Sequence, residues 1–243
     1  MRNFDPSRRE FLQLGGSAAA CFAIAASPLA ALAQSTGMKI GIVGAGRLGG
    51  AVGTLWIKAG HEVLFSSRHP EQLKPLVDGL GPRARAGTVQ EAVNFGDVIL
   101  VAVPYSALPQ IGRDFGSVLS TKIVIDASNP IPARDGEIVK EAQEMGPGAT
   151  SEKYLGKHLV RTFNSVGTGN LLSQSNRPGE KIGIPFGGDD PDAVRVASQL
   201  VRDAGFEPVV VPLARSKEWA PGTPLFGKAL PVSEVRRGLG LAQ

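Results

Sequence analysis

A doubly wound α/β sheet is the fold class this sequence predicts, and three observations predict it. Short β-branched apolar runs recur along the chain, helix-like stretches separate them, and one run, Val98-Ile99-Leu100-Val101-Ala102-Val103, is apolar without a break. Strands that alternate with helices build a parallel sheet through right-handed crossovers. A strand with no polar alternation is one covered on both faces. The chain has 243 residues, 42% of them hydrophobic and 20% charged. That is enough for a full core, and it excludes a disordered, collagen-like or disulfide-stapled chain.

The first 33 residues read as a targeting segment and stand apart from the fold. Ser7-Arg8-Arg9-Glu10-Phe11-Leu12 sets an arginine pair ahead of an Ala/Gly-rich apolar stretch that closes at Ala31-Leu32-Ala33, leaving Gln34 as the first mature residue. This resembles a bacterial twin-arginine export signal, with Gln13 where a Lys usually stands, and it implies a periplasmic protein that meets the membrane only during export. Gly15, Gly16, Ser17 and the Ser27-Pro28 break favour a cleaved signal over a retained span. Cys21, the only cysteine, falls inside it, so the mature chain offers no disulfide, thiolate nucleophile or cysteine metal site. Setting aside Arg2, Arg8, Arg9, Asp5 and Glu10 leaves 23 basic against 20 acidic residues with no basic run, which gives no case for nucleic-acid binding. Residues 34–243 then form one domain, with a small C-terminal annex from about residue 156.

Met38 to Val43 is the first strand, and Gly44-Ala45-Gly46-Arg47-Leu48-Gly49 follows it directly, before a helix to Ala59-Gly60. Glu62 to Phe65 is the second strand and runs into Ser66-Ser67-Arg68; Pro70 opens a helix. Arg83 to Ala86 is a third strand, Val89 to Phe95 a helix, and Asp97 to Pro104 the fourth strand. Ser106 to Leu119 reads as helix, Lys122 to Asp126 as strand, and Ser128-Asn129-Pro130-Ile131-Pro132 as a rigid loop. A Gly/Pro-containing connection is expected at Met145 to Thr150, with helix from Ser151 to Leu155. Strands follow at Leu159 to Phe163 and Ile182 to Phe186. Asp189-Asp190-Pro191 caps a helix to Ala204, and Glu207 to Val211 makes the last strand.

Strand, glycine turn and helix in that order constitute a dinucleotide fingerprint. Gly44 permits the tight turn, Gly46 lets backbone approach a pyrophosphate, and Gly49 lets helix and strand pack closely. The pyrophosphate would lie at the helix N-terminus, where unbonded N–H groups favour negative charge. NAD sites usually place an acid about 20 residues past the glycines. This chain offers Ser66, Ser67 and Arg68 there, with no acid before Glu71. Two hydroxyls and a guanidinium suit a 2′-phosphate that a carboxylate would repel, so NADP is the expected cofactor.

The glycine turn, Ala59-Gly60-His61-Glu62-Val63, Ser66-Ser67-Arg68, Asn129-Pro130, Phe163-Asn164, Gly188-Asp189-Asp190 and Gly205-Phe206-Glu207-Pro208-Val209, in that order, resemble the NADP oxidoreductases dependent on the deazaflavin coenzyme F420. The resemblance implies a Rossmann-type domain with a small annex, moving hydride between NADP and F420 as co-substrate. It implies that Ala45, Gly46, Arg47 and Leu48 cradle the pyrophosphate and that Ser67 and Arg68 hold the 2′-phosphate. Val103, Pro104 and Asn129 would lie along the nicotinamide end. Tyr105, Phe163, Asn164 and Val166 would line the acceptor.

Hydride transfer of that kind needs two flat rings held face to face with water excluded, and little acid–base chemistry from the protein. The sequence accordingly offers no Tyr-Lys pair or carboxylate dyad. His61, His69 and His158 are scattered: His61 is expected at a strand start, His69 near the adenosine phosphate and His158 on the surface, and no metal set emerges. A reductase of another small acceptor, such as a quinone, ferric complex or imine, would use the same NADP residues. So would a non-catalytic module that senses redox state. The partner expected is a small-molecule hydride acceptor, and a homodimer is left open.

Overall fold

The structure, a computed structural model, describes residues 37–242. The expected targeting segment, residues 1–33, and Cys21 lie outside the described residues. Among the described residues eight strands form one sheet: β1 (Lys39–Val43), β2 (Glu62–Ser66), β3 (Ala84–Gly87), β4 (Val98–Val101), β5 (Ile123–Asp126), β6 (Leu159–Arg161), β7 (Gly183–Gly188) and β8 (Glu207–Val211). Their spatial order is β3-β2-β1-β4-β5-β6-β7-β8. The order reverses between β1 and β4, which pair in parallel from Ile40 opposite Val98 to Val43 opposite Val101. A crevice opens outside the carboxyl ends of the strands at such a switch point, and ligands of doubly wound sheets bind there.

Helices α1 (Arg47–Lys58), α2 (Lys74–Asp78), α3 (Val89–Phe95), α4 (Leu108–Leu119), α5 (Pro132–Asp135), α6 (Ile138–Met145), α7 (Pro147–Leu155), α8 (Thr168–Gln174), α9 (Pro191–Asp203) and α10 (Val232–Gly238) complete the chain. Three apolar clusters cover the sheet, one of them, with Trp219, Val235 and Leu239, packed on Val209 and Val211 of β8. A second gathers Trp56, Phe65, Phe163, Phe186 and Phe206 with α1, α8 and α9. The third gathers Tyr105, Leu108, Ile111 and Leu155 with α3, α4 and α7. Strand β4, buried at all four positions, is the doubly covered strand its composition predicts.

The sheet is not wholly parallel, as the alternation of elements predicts; β7 runs antiparallel to β6. The connection from β6 carries α8, which packs on α1 and does not return the chain to the far end of the sheet. Residues beyond 156 thus extend the same sheet, with β8 again parallel to β7. The expected connection at residues 145–150 is also different. Gly146, at φ +87°, ends α6, and Pro147 stands in the first turn of α7. Glycine after a helix and proline at the start of the next is the usual terminus chemistry, so a Gly-Pro pair here joins two helices without a loop. Likewise Pro132, expected in a rigid loop, opens α5.

Three expectations at the other end of the sheet concern single residues. His61 is buried at the start of β2, where its Nδ1 accepts from the Met38 N–H at 3.1 Å and its Nε2 lies 3.0 Å from Asp203 Oδ2. Asp190 caps α9 by accepting from the Ala193 N–H at 2.8 Å, and its other oxygen lies 2.8 Å from Nδ1 of the exposed His158. Among the described residues no group of three His, Cys, Asp or Glu is placed to hold a metal ion.

Candidate functional site

The turn from β1 into α1 has the geometry its glycines imply. Gly44 sits at φ +97°, and a Cβ there would come 2.6 Å from the Ala102 carbonyl oxygen. A Cβ on Gly49 would come 2.2 Å from the Gly44 carbonyl oxygen and 3.0 Å from Ile42 Cγ2. Helix and strand are therefore in direct backbone contact. Gly46 is the opposite case: a Cβ would meet no atom within 4 Å. It is the N-cap of α1, no side chain caps the helix, and no acid lies in its first turn. The first-turn N–H groups of α1 thus have no side-chain cap and lie beside open space, the arrangement of an anion site at a helix N-terminus.

At the end of β2 the two serines have separate roles. Ser66 is fully buried and its hydroxyl donates to the Ile42 carbonyl at 2.6 Å, while its own carbonyl accepts from the Ala45 N–H at 2.9 Å. The expectation that Ser66 binds cofactor is therefore corrected: its hydroxyl faces inward and ties β2 to β1. Ser67 is half-buried, and its oxygen accepts from the His69 N–H at 3.1 Å. Arg68 is exposed and makes no ion pair among the described residues; the same holds for Arg47. His69 is exposed and lies 3.4 Å from Glu71.

Beyond β4, Val103 stays partly buried over the glycine turn, its Cγ1 2.7 Å from where a Gly44 Cβ would stand, and Pro104 is exposed. Tyr105 is fully buried. Its hydroxyl donates to the Pro147 carbonyl at 2.7 Å and touches Ser151 Oγ at 3.0 Å. Burial pushes its phenol up to about 12, against the pull of the nearby Arg161 charge. Phe163 is sealed in the core against Trp56, ring centroids 5.8 Å apart, with φ +63°; Val166 is in the same cluster. The expected acceptor contacts at Tyr105, Phe163 and Val166 are thus corrected to interior packing: Phe163 and Val166 sit in an apolar cluster, and the buried Tyr105 hydroxyl is bonded to Pro147 and Ser151. A phenylalanine at positive φ is a strained backbone that surrounding contacts must hold.

The structure does bring Asn129 and Asn164 together. Asn129 Nδ2 donates to the Asn164 carbonyl at 2.7 Å, and Asn164 Nδ2 donates to Asn129 Oδ1 at 2.9 Å. Trp219 extends the chain, its indole N–H donating to Asn164 Oδ1 at 3.0 Å.

Beneath these loops lie charged groups that the sequence reading passes over. Asp126 and Arg161, both fully buried, pair at 2.8 Å. Asp126 also accepts from the Ser128 N–H and hydroxyl and from the Ser151 hydroxyl, and Arg161 Nη2 donates to the Ser128 carbonyl at 2.6 Å. The pair fastens the ends of β5 and β6 to the turn that carries Asn129. The available signal is a charge at the end of each apolar strand, since a charge buried between two covered faces has to be paired. Asp135 is a second clamp. It accepts from the Ser106 N–H at 3.2 Å, the Ile131 N–H at 2.8 Å and the Arg134 guanidinium at 2.8 Å, so it joins the loops after β4 and β5. Burial alone would raise its carboxyl, but the hydrogen bonds from Arg134, Ile131 and Ser106 outweigh burial and hold it at about 2.

The fold and the glycine turn define a Rossmann-type NAD(P)-binding α/β protein. Residues 39–130 match the family described as NADP oxidoreductase, coenzyme F420-dependent. That match runs from β1 through Asn129-Pro130 and includes the glycine turn, Ser67, Arg68, Val103 and Pro104. A glycerol-3-phosphate dehydrogenase [NAD(P)+] of Staphylococcus haemolyticus is 28% identical over 131 residues, which is 49% of this chain and 39% of that protein's length. Among solved structures, a hypothetical protein from Sinorhizobium meliloti is 25% identical with a TM-score of 0.66, over 83% of this chain and 98% of its own. An Arthrobacter sp. FB24 protein described as an F420-dependent NADP-reductase shares the fold at 17% identity and a TM-score of 0.57, over 80% of this chain and 99% of its own. The matched family, the dehydrogenase and the Arthrobacter protein are NAD(P)-dependent oxidoreductases.

Proposed function

We propose that this chain is an NADP(H)-dependent oxidoreductase that moves hydride between NADPH and a planar deazaflavin-like or flavin-like acceptor. The observation that carries the reading is the open space at Gly46 beside the N-terminus of α1, with Arg68 exposed and unpaired among the described residues at the end of β2. The first-turn N–H groups of α1 bind pyrophosphate, and Ser67 and Arg68 bind the 2′-phosphate with charge-assisted hydrogen bonds. NADP, when bound, supplies the hydride chemistry. Val103 and Pro104 exclude water at the nicotinamide end, and the Asn129–Asn164 pair holds the turn beside it.

The family match at residues 39–130 supports the deazaflavin as acceptor. The test is anaerobic NADPH oxidation by the purified chain with coenzyme F420 in one cuvette and free flavin, quinone and ferric chelate in others. Turnover with F420 alone supports the full reading. Turnover with another acceptor keeps the NADP half and replaces the deazaflavin, and NADPH binding without turnover in any cuvette favours a non-catalytic module.

The arginine pair at Arg8-Arg9 further suggests export to the periplasm in folded form, with the cofactor loaded beforehand. Protein recovered from an exported fraction should carry NADP(H) in its acid extract. Cofactor-free protein in that fraction would count against loading before export.

A further inference from the structure

Against the turn that carries Asn129 lies a cavity of about 250 Å³, whose walls come from the loop after β5, from α6, from the start of α7 and from the turn at residues 213–221. Four of its lining residues are prolines, Pro130, Pro132, Pro147 and Pro221, and Ala142 adds a further apolar wall. Proline fixes φ, so these walls lose little freedom when something enters. Two ties hold opposite walls in place. Asp135 accepts from the Ile131 N–H between Pro130 and Pro132. Trp219, between Lys217 and Pro221, donates to Asn164, whose amide is paired with Asn129. The cavity is therefore preformed, and its position relative to the Asn129 side chain is set by hydrogen bonds.

Lys217 is the one charged residue that lines it. Its side chain is exposed and makes no ion pair among the described residues. An apolar slot with a single cation and no carboxylate disfavours a cationic guest, such as an iminium, and favours an anion. Its volume lies just below the range usual for small-molecule pockets and suits one or two fused rings, or the edge of a larger planar system.

We propose that this cavity receives the hydride acceptor, and that the acceptor is a planar apolar ring compound bearing an anionic substituent that Lys217 meets at the mouth. The inference rests on the NADP reading above and adds the chemical class of the acceptor to it. A quinone-type ring is one acceptor of this class. The C–H bond at the nicotinamide breaks, its electron pair goes with the hydrogen to the ring, and one solvent proton completes the hydroquinone while NADPH becomes NADP⁺. Lys217 is a specificity residue for the substituent and takes no part in the transfer.

The test uses the full chain and two redox-inert probes, 2-naphthalenesulfonate and the uncharged 2-naphthalenesulfonamide, titrated calorimetrically in the presence of saturating NADP⁺. The sulfonate should bind with one-to-one stoichiometry, about tenfold more tightly than the sulfonamide, as one charge-assisted contact implies. Lys217→Ala should erase that preference and leave sulfonamide binding in place. Gln143→Trp, at an exposed lining position on α6, should abolish binding of both probes while NADP⁺ affinity is retained. With NADPH as the bound nucleotide, the sulfonate should change the nicotinamide fluorescence, because the two rings are neighbours. Absence of sulfonate binding to a chain that binds NADP⁺ overturns the proposal. So does binding indifferent to both substitutions, or binding that leaves NADPH emission unchanged. A chain that binds the sulfonate but neither NADP⁺ nor NADPH overturns the NADP reading and removes the acceptor role, and that result is distinct from the other three.

Discussion

Ser66 and Ser67 are adjacent and chemically identical, and the pleat of β2 gives them opposite fates. Ser66 points inward and donates to Ile42, whereas Ser67 is half-buried and Arg68 exposed just past the strand end. Arg68→Ala should weaken NADPH binding by about 1.5–3 kcal/mol, the value of a hydrogen bond to a charged group, and leave NADH binding unchanged; competition titration against both nucleotides measures this. Ser66→Ala should instead lower thermal stability by roughly 1 kcal/mol, the loss of one buried hydrogen bond, with the preference between nucleotides unaltered. Gly46 allows an equally sharp test. Its φ of −74° is open to any residue and no neighbour is close, so Gly46→Val should keep the circular dichroism spectrum and the melting temperature. Its side chain would occupy the pyrophosphate position, so nucleotide binding should be lost.

The joints between elements rest on backbone contact and on buried carboxylates. Gly49→Ala presses a methyl group against the Gly44 carbonyl oxygen, and neither α1 nor β1 can give way cheaply. It should cost about 2 kcal/mol in a denaturant titration, as overpacking does. The Asp135 clamp predicts a pH dependence whose sign follows from its depressed carboxyl. A group held low in the folded state adds stability that is complete above its unfolded value of about 4. That stability is lost as the pH falls toward about 2. Melting curves between pH 5 and pH 2 should therefore fall more steeply for the wild-type chain than for Asp135→Asn, which is less stable at neutral pH and flatter in acid. Six of the ten described helices, α1 to α4, α7 and α9, are legible in the sequence, whereas α5, α6, α8 and α10 are not. Thr88 and Glu91 form the capping box of α3, and Asp190 caps α9. The join of α6 to α7 was not legible, because glycine and proline mark the end of one helix and the start of the next as readily as they mark a loop.

At the scale of the whole molecule, one buried ion pair ties the last strand of the family match to the strand that follows it. Asp126 closes β5 and Arg161 closes β6, and together they hold the Ser128-Asn129 turn beneath the Asn164 amide. Arg161→Leu would leave Asp126 buried and uncompensated at a cost of roughly 3–5 kcal/mol. A chain so altered should lose cooperative unfolding or melt far earlier. The conservative Arg161→Lys should recover part of that loss, since it restores the charge without the second donor that reaches Ser128.

The sequence by itself determined the alternation of strands and helices, the place of the glycine turn and the choice of Ser67 and Arg68 over an acid. Each of these is written in residues close together along the chain, and local chemistry decides it. The tertiary structure decided the direction of β7, the pairing of Asp126 with Arg161, and the burial of Tyr105, Phe163 and Val166. Those depend on which face of an element meets which neighbour distant in the chain. An aromatic near a strand end reads equally as a ligand contact or as core, and packing against Trp56 or hydrogen bonding to Pro147 settles which it is.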